Sequence, residues 1–99
     1  MTELELFVSE QIKTLVPSYE TVELKATVSS SSFSVEFFAT VDGKKMQCFE
    51  MIDEGAFTEK NFNAASKAIA NYCRGLNDFN ADGINKYIYR TPICPLGKV

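Results

Sequence analysis

Histidine and tryptophan are missing from this 99-residue chain, and the first absence excludes more chemistry than any residue present. Without an imidazole there is no Ser-His-Asp or Cys-His nucleophilic site and no His-ligated metal. Cysteine is sparse. Cys48, Cys73 and Cys94 are odd in number and widely spaced, with no CxxC pair, so they form no disulfide framework. Cys48 and Cys73 fall on apolar positions, where Cys packs as a small hydrophobe, and a reducing, cytoplasmic compartment is expected. No apolar run approaches membrane-spanning length, and MTELELFVSE puts acids where a signal peptide needs a basic region followed by an apolar one. The sequence therefore predicts neither an anchor nor an export signal, and no membrane partner. Basic charge is also short: ten Lys and Arg against thirteen Asp and Glu leave a net charge of -3 and a pI near 4.9. Nucleic acid and anionic lipid need a basic footprint, so a basic protein surface is the easier partner.

What is present reads as one folded domain spanning residues 1–99. Hydrophobic residues at 45% and charged residues at 23% sit near globular averages, and the length suffices to bury one core without a metal or disulfide. Leu4, Phe7, Val8, Ile12, Leu15 and Val16 recur at spacings of three and four, an apolar stripe on a helix over 3–16. Thr2 with Glu5 reads as its capping box, and Pro17 ends it.

The stretch from Thr21 to Ile52 reads as three antiparallel strands. Val22, Leu24, Ala26 and Val28 alternate with Glu23, Lys25 and Thr27, and Phe33, Val35, Phe37, Ala39 and Val41 with Ser34, Glu36 and Thr40, the period of half-buried strands. With Ser29 to Ser32 as a four-residue loop, Val28 pairs with Phe33, Ala26 with Val35 and Leu24 with Phe37, and Lys25 falls opposite Glu36. Asp42-Gly43 predicts a two-residue hairpin turn, so Val41 pairs with Lys44 and Ala39 with Met46. Continuing this third strand sets Cys48 opposite Phe37, Glu50 opposite Val35 and Ile52 opposite Phe33, with Phe38, Phe49 and Met51 on the outer face among Glu23, Lys25, Glu36, Lys45 and Gln47. A second long helix starts at the N-cap Thr58, with Phe57 and Phe62 as a hydrophobic staple and Gly75 as terminator. KYIYRT reads as a short fourth strand and PICPLGKV as an irregular tail. The expected fold is α+β in two layers: an antiparallel sheet of three to four strands, order of elements α-β-β-β-α-β, with two helices on one face.

Three constellations carry candidate chemistry. Paired carboxylates, Asp53 with Glu54 and Glu3 with Glu5, fall on a loop and a solvent face, where no burial shifts their pKa values toward acid/base work. Asp78-Phe-Asn80-Ala-Asp82-Gly83 matches the opening of a calcium loop, with Asp78, Asn80 and Asp82 as ligands. Its twelfth position, however, is Tyr89 in place of the bidentate Glu, and the same residue types are ordinary turn formers. The third is the outer-face trio Phe38, Phe49 and Met51, an apolar cluster rimmed by charge of the kind found at protein interfaces.

LVPSYETVELKATV over 15–28, FSVEFF over 33–38, the Asp42-Gly43 turn and the 57–76 helix together resemble the YezG-like immunity proteins. There an N-terminal helix ending in proline leads into a strand of the form aromatic-Glu-x-Val-x-Leu, then a strand with paired aromatics, a third strand and a helix. The resemblance covers residues 4–77; beyond them the family carries a longer helix and a further hairpin where this chain has one strand. It implies a cytoplasmic antitoxin, itself no enzyme and without cofactor, that binds and neutralises a cognate secreted toxin such as a nuclease. The residues expected to make contact, read from face assignment and charge, are Phe38, Phe49, Met51, Glu36 and Glu23, with Asp53, Glu54, Asp78 and Asp82 as charge partners. Two other readings stand beside it: a calcium-responsive module on Asp78, Asn80 and Asp82, and a dimerising domain with no toxin partner.

Overall fold

The computed structural model describes residues 3–91; the cap expected at Thr2, the tail 92–99 and Cys94 lie outside them. In chain order the elements are α1 (Glu3–Leu15), β1 (Thr21–Val28), β2 (Phe33–Val41), β3 (Lys44–Gln47), α2 (Cys48–Asp53), α3 (Glu59–Arg74) and β4 (Asn85–Thr91). The strands form one antiparallel sheet in the order β3-β2-β1-β4, and the helices cover one face of it. The fold is thus the expected α+β two-layer arrangement, with β4 on the far side of β1.

The register of the first two hairpins follows from the alternation. Val28 faces Phe33, Ala26 faces Val35, Leu24 faces Phe37 and Lys25 faces Glu36. Val41 faces Lys44 and Ala39 faces Met46. Asp42 and Gly43 have φ of 52° and 79°, the two positive values that the tight turn between twisted strands requires. On the inner face Val22, Leu24, Ala26, Val35, Phe37, Ala39 and Tyr89 pack against Val8, Ile12 and Leu15 of α1 and Phe62, Ala65, Ile69 and Cys73 of α3. The two long helices meet through stacked rings, with the Phe7 and Tyr72 centroids 4.5 Å apart.

The third strand departs from expectation. It stops at Gln47, and CFEMID turns into α2, so the pairings of Cys48, Glu50 and Ile52 with β2 do not form. Three local interactions favour the helix. Glu50 does not point toward the core: its Oε1 accepts the Gln47 backbone N–H at 3.1 Å, closing the first turn from its third position. Cys48 and Met51, three apart, drop into the core at 0% and 3% exposure. Gly55, with φ of 83°, ends the helix while Ala56 N–H donates to Met51 C=O and Gly55 N–H to Ile52 C=O. That bond pair is the Schellman cap, for which glycine supplies the left-handed backbone.

α3 starts as its sequence predicts. Thr58 Oγ1 accepts the Asn61 N–H at 3.1 Å, and the Phe57 and Phe62 rings sit 6.2 Å apart as the staple. The helix ends at Arg74, whose guanidinium reaches the serine loop. Nε donates to Ser29 C=O at 2.9 Å and Nη2 to Ser32 C=O at 3.1 Å, and the group lies over the Phe33 ring. No helix among the described residues is long and apolar enough to cross a membrane.

Candidate functional site

The helices leave the other face of the sheet bare among the described residues. Because alternate side chains point to opposite faces, this outer surface is built from Thr21, Glu23, Lys25 and Thr27 of β1, Ser34, Glu36, Phe38 and Thr40 of β2, Lys45 and Gln47 of β3, and Lys86, Ile88 and Arg90 of β4. The registers align two cross-strand rows, Gln47–Phe38–Glu23–Arg90 and Glu36–Lys25–Ile88. A shallow hollow between them is lined by Glu23, Lys25, Glu36, Phe38, Ile88 and Arg90.

Two apolar side chains stand in this polar surface. Ile88 is 66% exposed and Phe38 37%. Lys45 spans the Phe38 ring, its Nζ 5.3 Å from the centroid and 3.8 Å from Glu23 Oε2, so ring and carboxylate share one cation. The face carries four cations (Lys25, Lys45, Lys86, Arg90) against two carboxylates (Glu23, Glu36), a net of +2. With the whole chain at -3, everything off this face sums to -5. The acidity that favoured a basic partner is therefore absent from the bare face, which attracts an acidic contact surface. Two carboxylates at its centre disfavour a phosphate backbone.

Of the residues expected to make contact, Phe38, Glu36 and Glu23 do share this face. Phe49 and Met51 do not, because the strand that was to present them is α2. Phe49 is 51% exposed on the helical layer, its ring edge-on to Phe62 at 5.7 Å, and Met51 is a core residue. Asp53 and Glu54 lie at the C-terminal end of α2, where Glu54 pairs with Lys44 of the β2–β3 hairpin at 3.7 Å. Met51 and Glu54 there border a second hollow with Leu15, Val16, Val41 and Met46. Asp78 and Asp82 sit at the opposite end of the sheet, between α3 and β4. The nine residues thus divide among five places.

The acidic loop is organised by amide side chains. Asn80 Oδ1 accepts the Asp82 N–H at 3.0 Å, Asn85 Oδ1 accepts the Asn80 N–H at 2.8 Å, and Asn85 Nδ2 donates to Val28 C=O and Asn80 C=O. Asn80, the middle residue of the calcium pattern, thus spends its side-chain oxygen on a turn, and Tyr89 at the twelfth position is in the core at 5% exposure. Among the described residues no three acidic, Cys or His side chains converge. The Cys48 and Cys73 thiols are free and buried. Burial pushes both up, Cys73 to about 11, with the Asp78 carboxylate adding to the effect there; both stay protonated and unreactive at neutral pH.

No family model, curated protein or solved structure matches this chain. Sequence reasoning placed Lys25, Lys45 and Gln47 on this face with Glu23, Glu36 and Phe38, as the registers show; it missed Lys86, Ile88 and Arg90 as members of the same surface. The alternation of KYIYRT held the signal: Tyr87 and Tyr89 on one face, Lys86, Ile88 and Arg90 on the other. What it lacked was the knowledge that β4 docks beside β1.

Proposed function

We propose that this chain is a protein-binding module, an immunity protein of the cytoplasm that neutralises a cognate toxin, and that it holds its partner on the outer face of the sheet. The observation that carries the reading is the bare four-stranded face on which Phe38 and Ile88 stand among six charged residues. A mixed surface of this kind combines aromatic and aliphatic anchors that slow release with charges that orient encounter. The sequence resemblance supplies the toxin as the partner's class; the face supplies its chemistry, a contact patch that is apolar and acidic. In this reading the chain does no catalysis: it works by occupying the toxin.

Co-purification tests the reading. The protein is co-expressed with the C-terminal domain of the toxin encoded by the adjacent reading frame. A stable complex is expected, weakened at least about tenfold by Phe38→Ala or Ile88→Asp, since a central anchor contributes roughly 1–2 kcal/mol or more. Failure to form a complex at micromolar concentration, or a complex indifferent to both substitutions, would overturn it.

A further inference from the structure

In the order β3-β2-β1-β4, β4 is an edge whose ladder partner is β1; among the described residues no strand pairs with the alternate backbone N–H and C=O groups on its far side, the groups an added strand would use. Along this edge Lys86, Ile88 and Arg90 form one exposed row on the outer face. Neither cation has an ion pair among the described residues, where the ion pairs are those of Lys44 and Lys45. On the inner side Tyr87 is half-buried and borders an apolar hollow with Leu4 and Val8 of α1. Seven residues is ample length for one added strand.

We infer that β4 accepts an extended segment of a protein partner as a fifth strand, a segment in which two acidic residues flank an apolar one at every second position. Side chains at i, i+2 and i+4 of an added strand fall opposite Lys86, Ile88 and Arg90. The acid-x-apolar-x-acid pattern reads the same in both directions, so it satisfies parallel and antiparallel addition alike. A second copy of this chain is a poor occupant: two β4 strands paired about Ile88 set Lys86 opposite Arg90 twice, like charge against like. Residues 92–99 of the chain itself, PICPLGKV, contain no acid and cannot supply the complement. The inference rests on the protein-binding reading, but not on the partner being a toxin.

Fluorescence anisotropy with the full chain tests it, using two labelled peptides, Thr-Glu-Val-Ile-Val-Glu-Thr and its counterpart with Lys for both Glu. At low ionic strength the acidic peptide should bind at least about tenfold more tightly than the basic one, from two attractive cross-strand pairs replaced by two repulsive ones. Its binding should slow amide exchange over residues 85–91. The double variant K86E/R90E should reverse the preference, a gain that no unfolded variant produces. Three results would overturn the inference: no binding of the acidic peptide at millimolar concentration, equal binding of both peptides, or a preference unchanged in K86E/R90E. Self-association that blocks the peptide would overturn it in favour of a second copy. A toxin complex formed equally well by the parent and K86E/R90E would leave the immunity reading standing and remove strand addition; peptide binding without any toxin complex would do the reverse.

Discussion

Arg74→Met should destabilise the protein by about 2 kcal/mol. The substitution keeps an unbranched apolar stem and a good helix former, so what it removes is the guanidinium. Three donors go with it: Nε to Ser29 C=O at 2.9 Å, Nη2 to Ser32 C=O at 3.1 Å and Nη1 to Asn71 Oδ1 at 3.0 Å. The first bond is part-buried and the others are exposed. A hydrogen bond to a charged group contributes roughly 1.5–3 kcal/mol, and solvent screening discounts the exposed ones, which leaves about 2 kcal/mol for the set, including the contact over the Phe33 ring 5.8 Å away. In a domain of this size that corresponds to a fall in Tm of roughly 8–16 °C. Urea unfolding should show a lower midpoint at unchanged m, and amide exchange should accelerate in residues 29–32. A loss below about 0.5 kcal/mol, within the range of ordinary surface substitutions, together with unchanged exchange in the serine loop, would refute the idea that α3 holds this loop through Arg74.

Ser66 is 4% exposed on α3, and its Oγ has no hydrogen-bond partner among the described residues. Ser66→Ala should therefore raise stability by about 1 kcal/mol, through helix propensity and removal of a buried unpaired hydroxyl, and a melting curve shifted downward would show that the hydroxyl is satisfied after all. Cys73 makes stability depend on alkaline pH. Its folded pKa of about 11 lies above the ordinary 9.0, so the folded state holds the proton longer and stability is full below pH 9. It then falls as pH rises toward 11, by roughly 2 kcal/mol. Denaturant titrations at pH 8 and pH 10.5 should show a drop that is smaller in Cys73→Ala; an equal drop in both proteins would place the effect elsewhere, beginning with Tyr87, whose pKa burial also raises.

The parts of the fold that could be read from the sequence are those in which one local signal has no competitor. The alternation of 21–28 and 33–41, broken only at Phe38, fixes which side chains share a face, and a one-residue slip would have separated Leu24 from Phe37 and Lys25 from Glu36. Thr58, Phe57 and Phe62 all mark the same helix start. In KKMQCFEMI two periods compete. Met46, Cys48 and Ile52 at even positions fit a strand, whereas Cys48 and Met51 at a spacing of three fit a helix. A core-facing pattern cannot separate the two over so short a run. The deciding elements are a side-chain-to-backbone bond from Glu50 and a left-handed Gly55, and Gly55 was the legible one: a glycine just past an apolar stretch is a helix stop. Moving Phe49 and Met51 off the sheet followed directly from that one change.

The candidate surface was harder to see because it is made by a pairing between the two ends of the chain. β1 alone offers Glu23 and Lys25, a neutral pair; β2 adds Glu36 and Phe38, and β3 adds Lys45, which leaves the growing face neutral. Only when β4 docks on β1 do Lys86, Ile88 and Arg90 join it, raising the charge from zero to +2 and supplying the second apolar anchor. Net charge is a property of the chain, while encounter and docking respond to the charge of the face that makes contact, since charges separated by more than a Debye length of about 8–10 Å are largely screened. A chain of net -3 can thus present a cationic face because its acids are gathered on the helical layer and the loops. The partner that fits is chosen by that segregation, and β4 is the element that creates it.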